Sequence, residues 1–173
     1  MKETWTRLLG RKGRRSWLFK LAALLLFVLF YLYPLKWMRA EIASLTLSPL
    51  TSVQENYLES FGIEGHRVSL SYAYGDSIRK DSIRTVFGSF FFISMSALIL
   101  MGAGRKYFRI LILLQIGLSA LVVLFLYLAA LQSPAFMEGC ILIKQYLKPM
   151  LTLSVPILAL AEIRLKQHLE SAD

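Results

Sequence analysis

The chain has 173 residues, 56% of them hydrophobic, and a mean hydropathy of +0.55, which excludes an ordinary water-soluble domain. Its formal net charge of +9 does not point to nucleic acid, because the basic residues gather beside the ends of apolar runs. One cysteine, Cys140, excludes an intramolecular disulfide.

Residues 1–16 form a basic tail in which Lys2, Arg7, Arg11, Lys12, Arg14 and Arg15 face one acid, Glu3. Such a tail is retained on the cytoplasmic side, near anionic lipids. An apolar stretch follows at 17–37, bracketed by Trp17, Tyr31, Tyr33 and Trp37, with Lys20 able to snorkel to the headgroups. Its exit, "YPLKWMRAEIAS", lacks a small-x-small cleavage site, so it is expected to be an uncleaved signal anchor and the first transmembrane helix.

Residues 38–84 are expected outside the cytoplasm. Ser52 and Glu55 have capping-box spacing, which predicts a short helix over 52–61 stopped by Gly62. "HRVSLSYAY" alternates with the period of a half-buried strand, predicted over 67–74. Gly75-Asp76 signals a turn, and "DSIRKDSIR" follows as a linker or second strand. This segment reads as a docking surface or as a plain tether.

The uncharged run 85–104 predicts the second transmembrane helix, and "RKYFR" at 105–109 a cytoplasmic loop. Residues 110–131 predict the third helix, in which Gln115 reads as helix–helix glue. The loop 132–139 carries Glu138 alone. The fourth helix, over 140–163, must accept Lys144 and Lys148; a cytoplasmic tail, 164–173, ends the chain. Basic residues alternate so that both termini are cytoplasmic, which requires an even number of crossings. The expected fold is therefore an all-α membrane protein with four transmembrane helices and a small α/β outer segment between helices 1 and 2, in a bacterial inner membrane.

Chemistry is sparse. HExxH, G-x-S-x-G and phosphate-binding glycine motifs do not occur, and the two histidines, His66 and His168, fall on opposite sides in this topology. No metal or cofactor is expected. Cys140 with His66 and Arg67 are the candidates for a thiol transpeptidase or protease. Cys140, Lys144 and Lys148 recur at i, i+4 and i+8 and so share a helix face. Pro149 and Pro156 each lack an N–H, which frees the carbonyls of Gln145 and Thr152. Lys144, Lys148, Gln145 and Glu138 are accordingly the expected face for a ligand or partner helix.

The layout resembles that of small membrane proteins of bacterial exosortase systems: a basic start, one spanning helix, a modest outer segment, then closely spaced helices. Exosortases place a catalytic cysteine before a membrane helix, where this chain has "DSIRTVFGSFF". The resemblance therefore implies a non-catalytic accessory subunit, with the lipid bilayer and another membrane protein as partners and no nucleic acid. The alternatives are the cysteine enzyme and a small transporter or lipid-binding protein using Lys144 and Lys148.

Overall fold

The computed structural model describes residues 11–49, 58–64, 67–74, 77–84, 87–131 and 135–170. Helix α1 (Arg11–Leu32) runs into α2 (Pro34–Leu47) through Tyr33. Pro34 lacks the N–H that would bond the Phe30 carbonyl, so the ladder is interrupted there. It resumes at once, with the Trp37 amide on the Tyr33 carbonyl at 3.3 Å. Along α2, Leu35, Arg39, Ala43 and Leu47 are buried. Their i, i+4 spacing forms one stripe.

A three-stranded antiparallel sheet follows: β1 (Leu58–Glu64), β2 (Arg67–Tyr74) and β3 (Ser77–Arg84), in the order β1-β2-β3. Strand β2 occupies the segment whose alternation predicted a strand, and "DSIRKDSIR" supplies β3. The helix predicted over 52–61 is corrected: residues 58–61 belong to β1. A single capping box gives a short helix little stability, whereas β1 pairs with β2 from Leu58↔Tyr72 to Glu64↔Arg67. The capping-box residues themselves lie outside the described residues. Gly62 is no helix stop. It pairs with Ser69, whose hydroxyl donates to the Gly62 carbonyl at 3.2 Å, and a Cβ at Gly62 would sit 3.0 Å from the Ser69 Oγ. The Gly75-Asp76 turn also lies outside the described residues.

Helix α3 (Ser89–Met101) is shorter than the expected span 85–104. Its 13 residues reach only about 20 Å at ~1.5 Å per residue. The apolar run is continuous, but the backbone is punctuated at both ends. Phe87 adopts a left-handed φ of 46° and Gly88 is extended, so the helix starts at Ser89. At the other end Gly102 takes φ 68°, and the Gly102 and Ala103 amides bond the carbonyls of Ile99 and Leu98 in a Schellman closure. Lys20 of α1 lies against Gly102, while Phe27 and Tyr31 pack on Phe92. Helix α3 thus runs antiparallel to α1.

Helix α4 (Arg105–Leu131) begins within the stretch expected as a loop at 105–109. Next come α5 (Ala135–Leu142), a π-helical turn at Ile143–Leu147, and α6 (Lys148–Glu170). Residues 135–139 and 164–170 are therefore helical, not loop and tail. The Lys148 amide bonds Ile143 five residues back, and Pro149, which has no amide proton, follows directly. Among the described residues, three helices are long and apolar enough to cross a membrane: Ser16–Leu47, Arg105–Ala129 and Ala135–Leu169.

Two apolar clusters hold the bundle. Leu35, Phe91, Leu98, Leu111, Val155 and Ala159 join α2, α3, α4 and α6. Leu47, Val122, Leu126, Met137, Cys140 and Ile143 join the end of α2 to α4 and α5. Helix α5 approaches α4 closely at Gly139, where a Cβ would lie 2.4 Å from the Phe125 ring. In lipid such packing, rather than expulsion of water, is what favours helix association.

Candidate functional site

A cavity of about 440 Å³ opens where the first turn of α3 meets the π-helical turn. Gly88, Ser89, Phe90 and Phe91 contribute from α3, Gln115 from α4, Lys144 and Lys148 from the α5–α6 rod, and Ser82 from β3. No carboxylate is among these lining residues. Lys148 is buried, at 8% exposure, and Lys144 is half-buried. The positive end of the α3 dipole adds to their charge. The arrangement concentrates positive potential in a partly desolvated space, where charge–charge interactions are stronger than in water.

Local structure explains how each group arrives there. Pro156 cannot donate to the Thr152 carbonyl. That carbonyl instead accepts from the Ser94 hydroxyl of α3 at 2.9 Å. The Thr152 hydroxyl donates to the Lys148 carbonyl and accepts from the Gln115 amide nitrogen. One polar knot therefore fixes α3, α4 and α6 around the cavity floor. The expectation of Gln115 as helix–helix glue matches this role. Its Oε1 has no hydrogen-bond partner among the described residues, although Gln115 is only 1% exposed.

The entry to α3 is held by Arg39. Its Nη1 donates to the Phe87 carbonyl at 3.0 Å and to the Tyr31 hydroxyl at 3.2 Å, and its Nε to the Leu35 carbonyl at 3.1 Å. The guanidinium lies 4.6 Å from the Tyr31 ring centroid, and the Tyr31 hydroxyl also donates to the Phe87 carbonyl. Arg39 is 5% exposed. This clamp pins the left-handed residue immediately before the cavity wall at Gly88.

The far end of the bundle carries a separate ion cluster. Glu162 of α6 pairs with Lys106, accepts from the Tyr107 hydroxyl and pairs with Lys166 at 3.1 Å. It ties α4 to α6 and does not line the cavity.

Of the residues expected to form a site, Lys144 and Lys148 come together at the cavity. Gln145 and Glu138 are exposed and do not line it. Cys140 is fully buried in the apolar cluster with Leu47, Val122 and Met137, and is not a lining residue. His66 lies outside the described residues, and the side chain of Arg67 is likewise not described. Among the described residues no cluster of His, Cys, Asp or Glu could hold a metal. Sequence reasoning missed the α3 N-terminus and Arg39. Gly88-Ser89 was available as a helix-start signal, but an uncharged apolar run concealed it. Comparisons with protein families, curated proteins and solved structures find no match to this chain.

Proposed function

We propose that the chain is a non-enzymatic binding subunit of a bacterial inner membrane. It crosses four times with both termini cytoplasmic, and the cavity at Lys144 and Lys148 receives the anionic group of its ligand. The observation that carries this reading is the composition of the cavity wall: two lysines and a helix N-terminus, with no carboxylate among the described lining residues. An anion placed there gains charge-assisted hydrogen bonds from these groups.

Helix α3 supports the fourth crossing. It descends beside α1 from Tyr31 to Lys20, returning the chain toward the side of the basic tail. The accessory-subunit layout of exosortase systems is the setting we favour for such a binder. Burial of Cys140 among apolar side chains favours it over thiol catalysis, because a reactive cysteine needs access.

The test is ligand-induced stabilisation of the purified chain in neutral detergent, with dodecyl phosphate as probe. Dodecyl phosphate should raise the unfolding midpoint of the native chain by several degrees, and Lys148→Leu should abolish the rise. Equal rises in both proteins would refute the site. Lys144→Gln serves as a milder second variant.

A further inference from the structure

The hydrogen bonding of Gln115 is dictated by its surroundings. The Thr152 hydroxyl has one proton, and that proton is on the Lys148 carbonyl. Toward Gln115 the hydroxyl can only accept, so Gln115 must present its NH2 group, as found. The amide oxygen is therefore the group left over. It is a neutral acceptor, buried, without a partner among the described residues, on a side chain that lines a cationic cavity. A buried acceptor in this state costs about 1–3 kcal/mol, which a bound hydrogen-bond donor recovers. The phosphate of a phosphodiester cannot satisfy it, because that ionised group offers only acceptors.

We propose that the cavity is a headgroup site for a lipid phosphodiester whose headgroup also carries a hydrogen-bond donor. The phosphate sits against Lys144, Lys148 and the first turn of α3, and a headgroup hydroxyl donates to Gln115 Oε1. This rests on the reading of the cavity as an anion site and adds the second half of the ligand.

Depth identifies a lipid rather than a soluble anion. Helix α3 places its first turn about 20 Å from Gly102, and α6 places Lys148 about 21 Å from Glu162, at ~1.5 Å per residue. A hydrocarbon layer of about 30 Å measured from that end would reach past the cavity, and where the short α3 thins it, lipid headgroups descend to the cavity level. Phe90, Tyr146 and Met150 are exposed at this level, at 39%, 67% and 74%, apolar surface of the kind acyl chains cover. A cavity of about 440 Å³ falls within the roughly 300–1,000 Å³ of ligand pockets.

The experiment uses the full chain in nanodiscs containing equal amounts of dioleoyl phosphatidylglycerol, phosphatidylmethanol and phosphatidylcholine, with retained lipid read by native mass spectrometry. Phosphatidylglycerol and phosphatidylmethanol carry the same charge and differ in headgroup hydroxyls. Phosphatidylcholine lacks both net charge and a donor. We expect phosphatidylglycerol to be retained about tenfold over phosphatidylmethanol, the worth of one hydrogen bond closed onto a buried acceptor. Phosphatidylcholine should be retained least. Gln115→Met should abolish the preference for phosphatidylglycerol over phosphatidylmethanol, and Lys148→Leu should lower retention of both.

Equal retention of the two anionic lipids by the native chain would overturn the donor requirement. Stabilisation by dodecyl phosphate would survive that result, so the anion site is judged separately. Complete displacement of phosphatidylglycerol by millimolar inorganic phosphate would assign the site to a soluble anion and overturn the lipid assignment. The comparison within the native chain requires no variant to fold.

Discussion

Arg39 carries a guanidinium into a site where its hydrogen bonds go to neutral oxygens: the Tyr31, Leu35 and Phe87 carbonyls and the Tyr31 hydroxyl. Its value is geometric, since a planar fork can reach acceptors on α1, α2 and the α3 entry together. Arg39→Leu should lower stability by about 2–4 kcal/mol, because buried acceptors lose a charged donor, as read by denaturant unfolding in detergent. Arg39→Lys should recover little of it, since an ammonium cannot replace both Nε and Nη contacts; full recovery would show that charge alone suffices. From sequence, Arg39 was indistinguishable from a charge flanking a membrane helix, because its partner Phe87 is distant in the chain. Lys148 was legible for the opposite reason. A lysine among apolar neighbours must face a protein interior or wet space, and it does so. Cys140 gives a third expectation at this scale. With 0% exposure it should resist a water-soluble maleimide in the folded protein and react on unfolding; prompt labelling of the native chain would contradict the packing around Leu47 and Met137.

At the scale of elements, the prolines of α6 did more than their positions alone could tell. The loss of a partner for the Thr152 carbonyl was readable from Pro156, by the missing amide proton. That Ser94, on another helix, would supply the replacement was not readable, because nothing local specifies which neighbour approaches. A double-mutant cycle follows. Ser94→Ala should cost about 1–2 kcal/mol by stranding that carbonyl. Pro156→Ala restores a backbone amide four residues after Thr152. In its presence, Ser94→Ala should become nearly neutral. Strict additivity of the two changes would remove this account. Helix α3 illustrates the reverse failure. Hydropathy marked its run correctly but overestimated its length, since the breaks at Phe87 and Gly102 are conformational rather than compositional. Strand β2 was legible from its alternation. Strand β1 was not, because its pairing with β2 outweighed a helix-like local signal.

For the whole molecule, the proposed four crossings imply that both ends lie in the cytoplasm. A fluorescent-protein fusion at the C-terminus should glow in bacterial cells, and an alkaline-phosphatase fusion there should be inactive. The opposite pair of results would overturn the cytoplasmic C-terminus. Membrane class and the three long helices were legible because apolar runs of this length have few other uses. The cavity was legible only in part. Its lysines stand out in an apolar run, whereas Ser82, Gly88 and Gln115 reach it from three other elements, and no spacing in one segment predicts that convergence.

The shortness of α3 has a mechanical consequence. A 13-residue helix beside longer neighbours leaves a hydrophobic mismatch of about 10 Å against a ~30 Å hydrocarbon layer. With α3 as the proposed fourth crossing, lipid next to that face thins, and the headgroups dip toward the level of Gly88. The protein would therefore sort toward thin bilayers, and its stability in vesicles should fall as acyl chains are lengthened. A dimple of this kind would draw headgroups toward the cavity mouth before any specific contact forms.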